Sequence, residues 1–401
     1  MSPTFGPRLA EWITVDRPDD LDLSDAEVRS FETYDLLYRT LTAILFNFAQ
    51  SGHPGGSVSA GRIMTGVLFD AMDYDIGDPL RPDADLLSFA AGHKATGLYA
   101  MWGLRDEVTR IARPDLLPER VEHRLRLEDL LGFRRNPTTS TPRFLEFGSK
   151  PLDGHPTPAT PFVKIATGPS GVGVGSSLGL AFTLADRYGP DSPRVHLLEG
   201  EGGLTPGRVY ESLASASASG LSNALCHLDW NQASIDSDRV TREGAQPGEY
   251  VQWDPMELFF LHDWNVVEVP DGFDVRLVLS AQRRARELDN GQPTAVVYRT
   301  EKGWRYGITG KKSHGGGHPL CSDAYHETIA PVFGREASAL PCRGGDGAGC
   351  SADSSPEELE ACYWATLERL RELLETEYRE VCDHMAARLA TARDRLDARE
   401  R

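Results

Sequence analysis

Residues 194–236 read RVHLLEGEGGLTPGRVYESLASASASGLSNALCHLDWNQASID, and this stretch decides the fold. Arg194 to Leu198 is an apolar run of the strand type. Glu199-Gly200-Glu201-Gly202-Gly203 then turns sharply, Gly207 to Ala218 carries helical spacing, and Ala224 to Leu228 is a second apolar run. Two buried strands joined by a crossover helix make a parallel unit. Its right-handed connection opens both strand ends on one edge of the sheet. Glu201 and Asn231 therefore meet at that edge. A carboxylate, an amide oxygen and a backbone carbonyl are hard oxygen donors that suit Mg2+ or Ca2+. Such an ion keeps positions open for a diphosphate.

Working outward, the same alternation continues. Trp264 to Val269 and Thr294 to Arg299 are strand-like, and Phe273 to Leu288 lies between them with helical patterning. Toward the N-terminus a helical pattern starts near Asp25 and runs through Phe31, Leu36, Leu37, Leu41 and Leu45. The fold class is α/β, a parallel sheet with helices on both faces. The expected divisions are an arm over 1–25, one domain over 26–330, a linker over 331–354 and a helical extension over 355–401. Ser355-Pro356-Glu357-Glu358 places Ser at the N-cap, Pro at the first helical position and Glu at the third. A stripe from Tyr363 through Leu367, Leu370, Leu374, Tyr378, Val381, Met385 and Leu389 to Leu396 predicts one long amphipathic helix. That helix packs within the chain or serves as a subunit contact.

Composition narrows the functions. The 401 residues include 60 acidic and 42 basic side chains, a formal net charge of −18. Nucleic-acid and anionic-membrane binding are disfavoured, because both need a basic face. No apolar run approaches the ~20 residues that span a bilayer, and the first residues carry no signal-peptide pattern, so a cytoplasmic location is expected. The six cysteines are scattered without a CxxC pair, so neither disulfides nor structural zinc are expected. Cys342 and Cys350 flank a Gly-rich stretch that reads as a surface loop. All six lysines (Lys94, Lys150, Lys164, Lys302, Lys311, Lys312) fall in or near the motifs described next.

The stretch from Glu201 to Asp236 resembles the thiamine-diphosphate signature, a Gly-Asp-Gly turn followed at this distance by Asn. It is more specifically similar to transketolase, whose version ends in Asn-x-x-Ser-Ile-Asp, here Asn231 to Asp236. The departure is Glu201 where that family has Asp; the extra methylene keeps the donor atoms. An alternative register makes Glu199 the ligand, but the helix start at Gly207 favours Glu201. Further likenesses arrive in the family's order. They are Ser51-Gly52-His53-Pro54-Gly55, Ser88 to His93, Gly154-His155-Pro156 with Thr167-Gly168-Pro169-Ser170-Gly171, and Thr300 to Gly303 with Ser313-His314-Gly315. Two glycine-rich stretches fail other tests: 171–176 lacks the last glycine of a dinucleotide loop, and 307–313 misses the P-loop spacing.

The resemblance implies roles. His53, His93, His155 and His314 would face the substrate, with His314 also near the diphosphate and His318 a lesser candidate. Gly168, Pro169, Ser170, Gly200, Gly202, Asn231 and Ile235 would hold thiamine diphosphate, while Glu201, Asn231 and the Ala233 carbonyl hold Mg2+ or Ca2+. It covers only the diphosphate-binding domain of a full transketolase. A partner subunit with the pyrimidine-binding and C-terminal domains is therefore expected, in a heterotetramer acting on a small ketose or 2-oxo substrate. Two alternatives remain: an α-like subunit of a 2-oxo acid decarboxylase or dehydrogenase, and a non-catalytic cofactor-binding scaffold.

Overall fold

The computed structural model describes residues 8–18, 23–134, 141–338, 340, 350–351 and 353–399. Six strands form its sheet: β1 (Trp12–Thr14), β2 (Leu86–Phe89), β3 (Val195–Gly200), β4 (Ala224–Trp230), β5 (Asn265–Val269) and β6 (Thr294–Arg299). Their order is β1-β5-β6-β4-β3-β2, and every pairing is parallel. The four strands expected from apolar runs are present within one or two residues at either end.

Side chains alternate across this sheet, as a period of two requires. Leu197, Cys226, Leu228, Ala295 and Val297 face one core, closed by the helices Val172–Tyr188, Gly207–Ala218 and Pro255–Leu261. Leu198, Leu225, Val267, Val296 and Tyr298 face the other, against helices that include Asp25–Ala49 and Val275–Glu287. Asp25–Ala49 begins in a full capping box, Ser24 with Glu27. No described helix is long and apolar enough to cross a membrane.

Two boundaries differ from expectation. The arm is not all arm: Trp12, Ile13 and Thr14 pair with Val266, Val267 and Glu268 as the sheet's edge strand. Residues 1–7 and 19–22 of it lie outside the described residues. The helix Asp323–Phe333 runs past the expected start of the linker at 331, and most of the Gly344–Ser355 stretch lies outside the described residues.

The C-terminal helix is present with the expected Ser355 cap, but it divides into Pro356–Glu375 and Arg379–Asp397. A straight helix over 356–397 would run about 60 Å. The turn at Thr376–Tyr378, closed by Tyr378 N–H on Leu373 O at 2.9 Å, keeps both halves on the chain's own core. Tyr363 stacks on Phe48 at 4.1 Å between ring centres, and Arg395 reaches Asp73 at 2.6 Å. Packing within the chain is the use this stripe has.

Candidate active site

Four neighbouring strands end on one edge and deliver the polar groups in order. Lys302 follows β6, Asn231 follows β4, Glu201 follows β3, and His93 follows β2. In open parallel sheets this carboxyl edge is where ligands bind. Around it lies a cavity of about 340 Å3 whose wall includes His93, Lys94, Glu201, Asn231, Lys302 and His314.

Glu201 opens a 3-10 turn directly after β3 and is buried. Its Oε2 accepts the Asn231 backbone N–H at 3.2 Å, while its Oε1 is buried without a hydrogen-bond partner among the described residues. Burial pushes this carboxyl up to about 7, against the pull of the Lys302 ammonium. Asn231 Oδ1 turns onto the Ala233 N–H at 3.1 Å, and the Ala233 carbonyl accepts from Lys302 Nζ at 2.8 Å. The three expected metal ligands thus converge, two of them already engaged within the chain. Lys302 Nζ also lies 2.9 Å from His314 Nδ1, and burial holds this lysine down at about 8.

Opposite the acid stand three imidazoles. His93 and His314 stack with ring centres 5.3 Å apart, and His53 meets both edge-on at 5.5 and 5.2 Å. Burial holds His53 down at about 4 and His314 at about 3, and it drives His93 well below the ordinary range; neighbouring cations push the same way. All three rings are therefore neutral near pH 7, each able to donate at one nitrogen and accept at the other.

Two backbone approaches shape the wall. A Cβ on Gly92 would fall 2.6 Å from the Gly168 nitrogen, so glycine alone lets the end of β2 touch the Gly168–Ser170 loop. A Cβ on Gly203 would fall 2.3 Å from the Glu199 carboxyl carbon, which is folded beneath that turn.

A family model described as transketolase, thiamine diphosphate binding domain, matches residues 125–335. The chain belongs to this transketolase family. It is 34% identical over 253 residues to transketolase-like protein 2 of Mus musculus, covering 63% of this chain and 34% of that protein. With transketolase of Homo sapiens it shares 31% identity over 287 residues, 71% of this chain and 39% of that one. The chain thus spans between a third and two fifths of these relatives. In fold it resembles transketolase from Leishmania mexicana, with a TM-score of 0.61, 22% identity, 92% of this chain and 49% of that chain. Transketolase from Campylobacter jejuni gives 0.60, 23%, 88% and 48%.

Within this transketolase-type domain the expected site residues are placed as follows. His93, His314, Gly168, Ser170, Gly200, Gly202, Glu201, Asn231, Ala233 and Ile235 all line the cavity, with Ile235 exposed at its rim. Pro169 is exposed and His53 half-buried, edge-on to the other two rings, and neither lines the cavity wall. His155 is exposed, its ring against Gly168. His318 is a structural residue, bonded to the Tyr306 carbonyl at 2.6 Å and to Thr328. Glu199, the alternative ligand, also lines the cavity and accepts the Gly200 N–H at 2.9 Å.

The lysine clustering holds only in part. Lys150 reaches the Val121 carbonyl and Asp129, and Lys164 the Pro79 carbonyl, away from the cavity. Sequence reasoning missed Asp229, which lies under the site and binds Lys94, Ser59, Thr300 and Asn231. One signal was available, because an aspartate inside an apolar parallel strand needs a cation beside it.

The buried histidines set an acid limit on stability. Besides the three in the site, His196 is held at about 3 and His227 well below the ordinary range, both by burial. Below their ordinary 6.5 the unfolded chain takes up protons that the folded chain refuses, so stability drops as pH falls toward 4. Glu199 and Glu201, both pushed up to about 7 by burial, act oppositely between 4.5 and 7. Five imidazoles outweigh two carboxyls. The urea midpoint is expected to fall between about pH 7 and about pH 5; an equal or higher midpoint at the lower pH refutes this balance.

Proposed function

We propose that this chain is the diphosphate- and magnesium-binding subunit of a heteromeric transketolase-like enzyme that transfers a two-carbon ketol unit. The observation that carries this reading is the single cavity with Glu201, Asn231 and Ala233 on one side and His93 and His314 on the other. The donor set is all oxygen, which suits Mg2+, and Glu201 Oε1 is the buried acceptor that a cation would satisfy. When bound, thiamine diphosphate serves as the electron sink for cleavage of the donor's carbon–carbon bond. Glu201, Asn231 and the Ala233 carbonyl would hold the ion, in place of the Lys302 ammonium that the carbonyl accepts from here. Gly168, Ser170, Gly200 and Gly202 offer the backbone that borders the diphosphate. The neutral rings of His53, His93 and His314 bond the donor's hydroxyl groups and move protons at its oxygens.

The family match covers the thiamine diphosphate binding domain alone, over residues 125–335. In the proposed assembly a partner carries the pyrimidine-binding and C-terminal domains, in a cytoplasmic heterotetramer. Co-expression with a chain of that kind should give a co-purifying complex that transfers a two-carbon unit from one of a panel of free and phosphorylated ketoses. In that complex His93→Ala should lower kcat/KM by about 10²-fold or more. Turnover within about twofold of the parent would remove His93 from the substrate site. Failure of the chains to associate would sink the two-subunit reading, and 2-oxo acid turnover in place of ketol transfer would favour the decarboxylase alternative.

A further inference from the structure

Away from the sheet edge, three cysteines that the sequence scatters are brought together where the C-terminal helices meet the domain. The sulfur atoms of Cys321, Cys350 and Cys362 all lie within 4.8 Å of one another. Cys362 is buried in the helix Pro356–Glu375, Cys350 stands just ahead of that helix, and Cys321 just ahead of Asp323–Phe333. The expectation of no disulfide, which rested on spacing along the chain, is corrected by the disulfide-bonded Cys321.

The surroundings point to a soft cation. Leu320, Tyr325, Leu359 and the stacked pair Phe48 and Tyr363 wall the cluster, with no carboxylate or imidazole among these lining residues. Thiolate ligands in such a place select zinc over magnesium or calcium. Cys321 takes a left-handed backbone, φ 50°, an uncommon conformation for a residue with a side chain. Asn47 fixes it there: Asn47 Oδ1 accepts the Cys321 N–H at 2.7 Å, and Asn47 Nδ2 donates to the Cys321 sulfur at 3.6 Å. An N–H aimed at sulfur is the kind of outer partner that orients a metal-bound thiolate.

Cys350 and Cys362 are free thiols here, while Cys321 is disulfide-bonded. We propose that the reduced chain binds one zinc ion through Cys321, Cys350 and Cys362, and that the ion pins the C-terminal helical pair to the domain. A dithiol first reduces the Cys321 disulfide to thiols and is itself oxidised to a cyclic disulfide. Zinc then displaces one proton from each of the three thiols. At a Zn–S distance of ~2.3 Å tetrahedral ligands stand about 3.8 Å apart, so no pair of sulfurs needs to close by more than about 1 Å.

The test uses the full chain, reduced with dithiothreitol, equilibrated with zinc sulfate and desalted. Atomic emission should find about one zinc per chain, and cobalt in its place should give a sulfur-to-metal charge-transfer band. Cys362→Ser and Cys350→Ser should each lose the zinc and the band, whereas Cys226→Ser, in β4, should keep both. Far-ultraviolet circular dichroism checks that each variant is folded. If buried Cys362→Ser does not fold, half-buried Cys350→Ser decides. Zinc retained in the folded serine variants overturns the proposal. So does a reduced parent chain that takes up none, or a Cys321 disulfide that survives the dithiol, which would make the cluster a covalent staple.

Discussion

Lys94→Met should destabilise the folded chain by about 3–5 kcal/mol, the largest single-residue effect expected in this protein. Lys94 Nζ lies 2.6 Å from Asp229 Oδ2, and the two side chains are 1% and 0% exposed. Burial alone would push the Asp229 carboxyl up. The Lys94 ammonium and bonds from Ser59 and Thr300 overturn that and hold it below the usual carboxylate range. Methionine fills much of the lysine's volume but leaves the carboxylate buried without its cation, the costly half of breaking an ion pair. The damage should not stay local, because Asp229 Oδ2 also accepts the Asn231 amide at 3.0 Å and so sets the orientation of a site residue. Adding Asp229→Asn to Lys94→Met removes the stranded charge and should recover part of the loss. Urea unfolding followed by circular dichroism measures all three. A Lys94→Met chain within about 1 kcal/mol of the parent would show that water or a proton satisfies Asp229, and the pair would not be holding the site.

That pair also marks what a sequence conveys about such a site. β3, β4, β5 and β6 were legible because buried parallel strands are continuous apolar runs, and the crossover rule then put Glu201 beside Asn231 without further information. β1 was not legible, since Trp12-Ile13-Thr14 is three residues and acquires meaning only from its partner Val266–Glu268. The Thr376–Tyr378 turn was hidden for a different reason. The apolar stripe keeps its spacing through Leu374, Tyr378 and Val381, so the pattern carries no mark of the turn. Lys94 and Asp229 are 135 residues apart, as His53, His93 and His314 are distant from one another. Each is a charged or polar residue with no local mark of its partner. Motif likeness could supply the histidines; Asp229 showed only as a charge inside an apolar strand, with nothing to name Lys94 as its partner.

Glu201→Gln should leave the fold intact and weaken magnesium-dependent binding of thiamine diphosphate by about 10²-fold or more. The substitution is nearly isosteric, and its amide oxygen can still accept the Asn231 N–H that Oε2 now takes at 3.2 Å. A neutral side chain also removes the desolvation that pushes this carboxyl up to about 7, so urea stability should hold or rise slightly. What is lost is the anionic Oε1, buried without a partner, which makes Glu201 the strongest of the three oxygen donors at this edge. Asn231 Oδ1 and the Ala233 carbonyl are neutral and bonded within the chain, so they cannot replace it. Glu201→Asp should keep most of the affinity, because it shortens the arm by one methylene and retains the charge. Calorimetry of thiamine diphosphate, with magnesium and with chelator, on the parent and both variants separates charge from shape. Equal affinities for parent and Gln variant in magnesium would place the ion elsewhere. Loss in the Asp variant alone would mean that reach, not charge, governs the contact, and would make the longer side chain at position 201 a requirement of this particular cavity.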